Sequence, residues 1–290
     1  MQRCIEAERV MGRIPWGTRM WVLPGANSSS FVGVLAKLLS NNWLVERHLD
    51  TLGSYLNFRA DNDRKHAGGC WVGDVYFSAC LKKVYRKPKT VISADCDLNK
   101  YKETITEHHY KCLLFPVNLN NNHWIAFSVD LEKKEFRFGV PSYFSRYGYM
   151  FAHHHSMRPR RLTRQSKPQH RTVANTSWAG KSLSVVFGAT FEDLGNTLPI
   201  GQQEDSYSCG ICVVNTMEHM MFGAPLFTDR DRYCLRVQYF LEAVKYLLND
   251  VRILFQCMGR NCTHICFPSL LNLCVKVLLN RLTMAKEPAR

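Results

Sequence analysis

The chain has 290 residues, enough for one large domain or two small ones around a substantial buried core. Its composition (46% hydrophobic, 12% aromatic, 21% charged) is that of a globular protein and excludes a fibrous or wholly disordered one. A formal net charge of +14 favours acidic partners, nucleic acid among them, but no sequence-reading motif accompanies it.

The opening stretch, MQRCIEAERVMGRIPWG, scatters charges through any would-be apolar run, so no secretory leader is expected. The twelve cysteines are irregularly spaced. Reduced thiols in the nucleus or cytoplasm are therefore expected rather than a disulfide framework. In SFVGVLAKLLSNNWLVERHLDTLGSYL, helical spacing gathers Val34, Leu35, Leu38 and Leu39 on one face. Leu44, Leu49, Leu52 and Leu56 form another, with Asn41 and Asn42 between the two helices. DNDRKHAGG reads as a polar loop and VYFSACLKKVY as a further helix.

A hairpin follows. LLFPVNL is a strand, NNN a turn, and HWIAFSVDL a strand with Ile125, Phe127 and Val129 alternating on one side; EKK then turns the chain into EFRFGV. From Pro141 to Ser182 the texture changes: His153, His154 and His155 precede Arg158, Arg160, Arg161, Arg164, Lys167 and Arg171, with no acid among them. With few apolar residues and no period, this stretch is expected to be a disordered insertion and its charge a solvated loop. Adjacent histidines alone lack the geometry of a tetrahedral metal site. Ordered patterning resumes at FEDLGNTLP and continues into SYSCGICVVNTMEHMMFG, where Ile211, Val214, Met217 and Met221 recur at helical spacing. Further on, the apolar run from Ile265 to Leu279 is interrupted by Pro268, Asn272 and Lys276 and falls short of the ~20 residues that span a bilayer.

The segment QQEDSYSCGIC has the equipment for acyl transfer by a thiol. A cysteine at a helix start, Cys209, lies near the positive end of the helix dipole, which favours its thiolate. Gly210 would let a substrate backbone approach, and Gln203 could donate an N–H to an oxyanion beside the Cys209 amide. On this stretch alone, Cys209 and Cys212 read equally well as ordinary buried cysteines of a core helix. A zinc site would need a second pair, such as Cys262 and Cys266 around His264. A nucleophilic cysteine also needs a base, and His123 opens a strand with Trp124 behind it.

Taken together, HWIAFSVDLEKKEFRFG and the later LPIGQQEDSYSCGI resemble the ubiquitin-like (SUMO-specific) protease family of cysteine peptidases. The resemblance covers roughly Trp43 to Leu248. It implies an α+β fold of the papain-like, adenovirus-protease-like kind, with a mixed sheet packed against the helix bearing the nucleophile. It implies His123 as base, Gln203 as oxyanion residue and Cys209 as nucleophile. Trp124 matches the tryptophan roofing a narrow channel for the Gly-Gly tail of a modifier, and Trp43 the other wall. The expected activity is peptidase or isopeptidase cleavage after the C-terminal Gly-Gly of a SUMO-type modifier, by a monomer with no metal or organic cofactor. The domain would span 31–250 with the insertion at 141–182, after an N-terminal extension 1–30 and before a tail 251–290. Nuclear residence follows from the same resemblance.

One position departs from that pattern. Hairpin register places Val140 to Ser142 opposite His123, and Val140 stands where the family has an aspartate. A valine cannot accept the second imidazole N–H, and Ser142 is a weak substitute at most. An impaired homologue that still binds a modifier is the alternative reading. The valine and the basic stretch begin at one residue, and an inserted or frame-shifted segment from Val140 to about Asn175 accounts for both.

Overall fold

The computed structural model describes residues 2–12, 19–20, 30–31, 33–63, 69–86, 96–141, 176 and 178–261. Its centre is a five-stranded mixed sheet with the strands in chain order. The strands are β3 (Cys70–Val72), β4 (Cys112–Leu119), β5 (His123–Asp130), β6 (Glu135–Gly139) and β7 (Glu192–Asp193). The β4–β5 and β5–β6 pairs are antiparallel, and the two edge pairs are parallel. A separate pair, β1 (Arg19–Met20) and β2 (Ser30–Phe31), precedes them. The NNN turn carries positive φ at Asn120 and Asn121, which asparagine tolerates better than most residues.

Central strand β5 is buried on both faces, and its pleat sorts its side chains between two cores. Ile125, Phe127 and Val129 enter one core with the odd-numbered residues of β4. Helices α4 (Val75–Arg86), α5 (Cys96–Glu107) and α6 (Trp178–Phe187) cover that face. Trp124 and Ala126 enter the other core. There they meet α3 (Glu46–Asn62), α7 (Cys209–Phe222) and α8 (Arg232–Asn261), with α2 (Gly33–Ala36) and the 3-10 turn Lys37–Leu39 at the rim. The expected α+β architecture, a mixed sheet holding His123 against the helix that starts at Cys209, is what forms.

Glu218 ties the second core together. This buried carboxylate on α7 accepts from Arg59 of α3 (Nη1–Oε1 2.6 Å) and from Tyr239 of α8 (Oη–Oε2 2.8 Å). The helix carrying Cys209 is thereby anchored at its far end to both flanking helices.

Three boundaries differ from the sequence reading. The first ten residues are not a mere extension: α1 (Gln2–Met11) buries Ala7 in the α7 core, and Arg3 donates to Gln238 of α8 (2.9 Å). The stretch expected to be disordered, 141–182, ends inside the fold, because α6 begins at Trp178. Trp178, Ala179 and Ser182 are buried there, and Ser182 Oγ donates to the Leu81 carbonyl (2.7 Å). Four apolar residues in the last turns of α6 (Leu183, Val185, Val186, Phe187) fell beyond the boundary drawn from the basic run. The tail boundary at 251 lies within α8, which continues to Asn261. Residues 142–175, with the His153–His155 run, and the Cys262, His264 and Cys266 cluster lie outside the described residues. No helix among the described residues is long and apolar enough to cross a membrane.

Candidate active site

Cys209 is the first residue of α7, and Ser208 precedes it as the N-cap. Backbone N–H groups of Trp124 and Gly210 lie close enough to its sulfur to favour the thiolate. The start of α7 therefore sits on the start of β5, one residue from His123. His123 and Gln203 are also drawn into this corner of the molecule, with exposures of 4% and 3%, while Cys209 itself is 1% exposed. Cys209 and Trp124 share one core, against which Trp43 packs, and Gln203 is tied through Asp205 to Ser208, the residue before Cys209.

Closure decides the protonation states. Burial pushes the Cys209 thiol up, the backbone N–H groups of Trp124 and Gly210 pull it back, Asp205 adds a small rise, and the result is about 11. Burial alone lowers His123 to about 4. At neutral pH the thiol and the imidazole are both uncharged. The expected dipole-stabilised thiolate is therefore corrected: desolvation of a sulfur with 1% exposure outweighs the helix start.

Trp124 is buried, and its indole Nε1 donates to the main-chain oxygen of Leu44 (2.7 Å). Trp43, the neighbouring residue, is half-buried against the same core. The two proposed channel walls are thus joined by a hydrogen bond through Leu44. Gly210 has a different job from the one its sequence position suggested. A Cβ there would lie 2.9 Å from Leu44 Cβ, so the glycine admits Leu44 rather than a substrate backbone.

Gln203 Nε2 donates to the Asp205 main-chain oxygen (2.6 Å) and faces the Asp205 carboxylate (3.2 Å). Asp205 Oδ1 also accepts from the amides of Tyr207 (2.8 Å) and Ser208 (2.7 Å), and Oδ2 from Ser208 Oγ (2.7 Å) and Arg232 Nη1 (2.9 Å). Burial raises this carboxyl, but the bonds from Ser208, Arg232 and Tyr207 outweigh it and hold it below its usual range. Arg236, four residues along α8, is fully buried and donates to the carbonyls of Ser40 (2.6 Å), Asn42 (3.2 Å) and Tyr207 (3.2 Å). It joins the segment leading to Trp43 with the segment leading to Cys209.

Asp205, Arg232 and Arg236 were not picked out from the sequence. Asp205 had a legible signal, since an aspartate in a short polar loop often accepts from amides two or three residues on, as an Asx-type turn does. The arginines had only their i, i+4 spacing.

Val140 follows the last paired residue of β6. Its side chain packs against the α4–α6 core, and its amide donates to Asn196 Oδ1 (3.1 Å). Ser142 lies outside the described residues.

No protein-family model matches the sequence, and no curated protein does. Solved structures do. The Ulp1 SUMO protease with its catalytic cysteine oxidised to a sulfenic acid superposes with a TM-score of 0.54 at 18% identity, covering 84% of this chain and 95% of that one. The C-terminal Ulp1 protease domain in complex with Smt3, the yeast ortholog of SUMO, gives 0.54 at 19% identity, covering 84% and 96%. Ulp1 with its catalytic cysteine oxidised to a sulfinic acid gives 0.52 at 18% identity, covering 84% and 95%. The chain has the fold of the Ulp1 cysteine-protease domain.

Proposed function

We propose that the chain is a cysteine peptidase or isopeptidase acting after the C-terminal Gly-Gly of a ubiquitin-like modifier. The observation that supports this reading is the packing of the start of α7, which bears Cys209, against β5, the strand that His123 opens. This occurs in a fold shared with Ulp1, whose structure with Smt3 gives the class of modifier.

In this mechanism His123, neutral at rest, takes the Cys209 proton as the sulfur attacks the glycine carbonyl. The Cys209 N–H and Gln203 Nε2 hold the resulting oxyanion. The imidazolium then protonates the leaving amine, and a thioester forms. Water, deprotonated by His123, releases the modifier carboxylate and restores the thiol. Burial raises the thiol and lowers the imidazole, which disfavours a resting thiolate–imidazolium pair, so proton transfer accompanies attack. Trp43 and Trp124 would limit entry to glycine once the Leu44 segment gives way.

Val140 stands where the resemblance places an aspartate. The serine-triad Asp-to-Asn substitution costs about 10⁴ in turnover. A thiol ionises far more readily than a hydroxyl and is expected to lose less. The buried, neutral thiol and imidazole favour a slow enzyme.

A cleavage assay on modifier–reporter fusions ending in Gly-Gly before the scissile bond tests the reading. Release that disappears in Cys209→Ala and falls steeply in His123→Ala supports it. Binding of the modifier without release would assign the chain to the binding role. Neither binding nor release would end the proposal.

A further inference from the structure

The Asp205 cluster reaches beyond the three residues assigned to chemistry. Between Gln203 and Cys209 the chain loops around Asp205, which accepts from the Gln203 amide, the Tyr207 and Ser208 N–H groups and the Ser208 hydroxyl. Arg232, at the first turn of α8, closes the cluster through Oδ2 and lies 5.5 Å over the Tyr207 ring. The Asp205 and Arg232 side chains are 9% and 17% exposed, so the pair is shielded from water. We propose that Asp205, clamped by Arg232, is a positioning residue that holds the Gln203 amide and the first turn of the Cys209 helix in one arrangement.

This inference rests on the peptidase reading for its catalytic consequence but not for its geometry. The shorter bond from Gln203 Nε2, to the Asp205 main-chain oxygen, fixes the amide. The longer one, to the carboxylate at 3.2 Å, is the weaker of the two and the one an oxyanion would replace. The carboxylate also carries negative charge toward Cys209, and Arg232 offsets it. Three charged or titratable groups act on that thiol: Asp205 from its own loop, Cys212 one turn along α7 and Arg236 from α8.

The test is a titration of Cys209 alone, read as thiolate absorbance of each protein minus its Cys209→Ser counterpart. Asp205→Asn keeps an acceptor for the Tyr207 and Ser208 amides but removes the charge. It is expected to lower the midpoint by about half a pH unit or more, while Arg232→Gln raises it. A role confined to stability would not move the two in opposite directions, and midpoints unchanged or shifted together would overturn the proposal. Where the wild-type chain turns over, Asp205→Asn should reduce kcat about 10-fold or more with KM within twofold, and add little to Gln203→Ala. Full additivity of the two substitutions would refute the positioning of Gln203. An inactive wild type would sink the peptidase reading and leave the titration to decide this one.

Discussion

Gly210→Ala probes the contact on which the site is assembled. A Cβ added at Gly210 would stand 2.9 Å from Leu44 Cβ and 3.3 Å from its Cγ and Cδ1. Leu44 Cβ is fixed to the backbone, so no rotamer change relieves the closest contact. To regain an ordinary separation, α7 and the Leu44 segment must part by about half an ångström. Leu44 is buried, and its carbonyl holds the Trp124 indole at 2.7 Å, so the displacement reaches both tryptophans of the proposed channel. Overpacking of this kind costs roughly 1–3 kcal/mol. Alanine's helix propensity returns at most about 1 kcal/mol, and less in a first turn. The net expectation is a loss of about 1–2 kcal/mol, which for a domain of this size lowers Tm by roughly 3–6 °C. Circular dichroism melts of the two proteins measure it. An unchanged or higher Tm for Gly210→Ala would refute the close packing of Leu44 over the nucleophile helix.

Three further outcomes follow from buried polar groups. Glu218→Ala strands the Tyr239 hydroxyl, while Arg59, 37% exposed, regains water. A loss of about 2–3 kcal/mol is expected in urea unfolding, with Glu218→Gln losing about half; a change under ~0.5 kcal/mol would mean the bridge is not formed. Asp50, on α3, is raised by burial to about 7, against an ordinary 3.8. Its folded pKa lies above its unfolded value, so its contribution favours folding fully below pH 4 and is lost as pH rises through 7. Asp50→Asn, which keeps an acceptor for the Val75 amide, should therefore gain on the order of 2–4 kcal/mol over wild type at pH 8 and little at pH 4. An equal difference at both pH values would contradict the burial assigned to Asp50. Iodoacetamide alkylation of Cys209, followed by peptide mass, should rise about tenfold per unit from pH 7 to 9. A plateau across that range would instead reveal a preformed ion pair.

The sheet and the nucleophile helix were legible because each rests on a local pattern. Period-2 alternation in HWIAFSVDL assigned Ile125, Phe127 and Val129 to one face, and helical spacing from Ile211 to Met221 marked α7. Grouping His123, Gln203 and Cys209 as one set needed the resemblance as well, because no local pattern relates residue 123 to residue 209. Three things stayed hidden for physical reasons. The start of α6 was obscured because a basic, apolar-poor stretch runs up to Trp178. The thiol's neutrality depends on burial by Leu44 and Trp124, which spacing does not report. The Arg236 bridge joins carbonyls of Ser40, Asn42 and Tyr207, and backbone acceptors leave no trace in side-chain identity.

The central claim is that Cys209, seated beside His123, attacks the terminal glycine of a ubiquitin-like modifier. It is tested most directly by incubating the chain with a SUMO-type modifier whose C-terminal glycine carries an electrophile, then locating any adduct by peptide mass. The account predicts one covalent adduct, on Cys209, that is lost in His123→Ala and abolished by blocking the Gly-Gly tail. An adduct on any other cysteine, or labelling of Cys209 that survives His123→Ala undiminished, would contradict it.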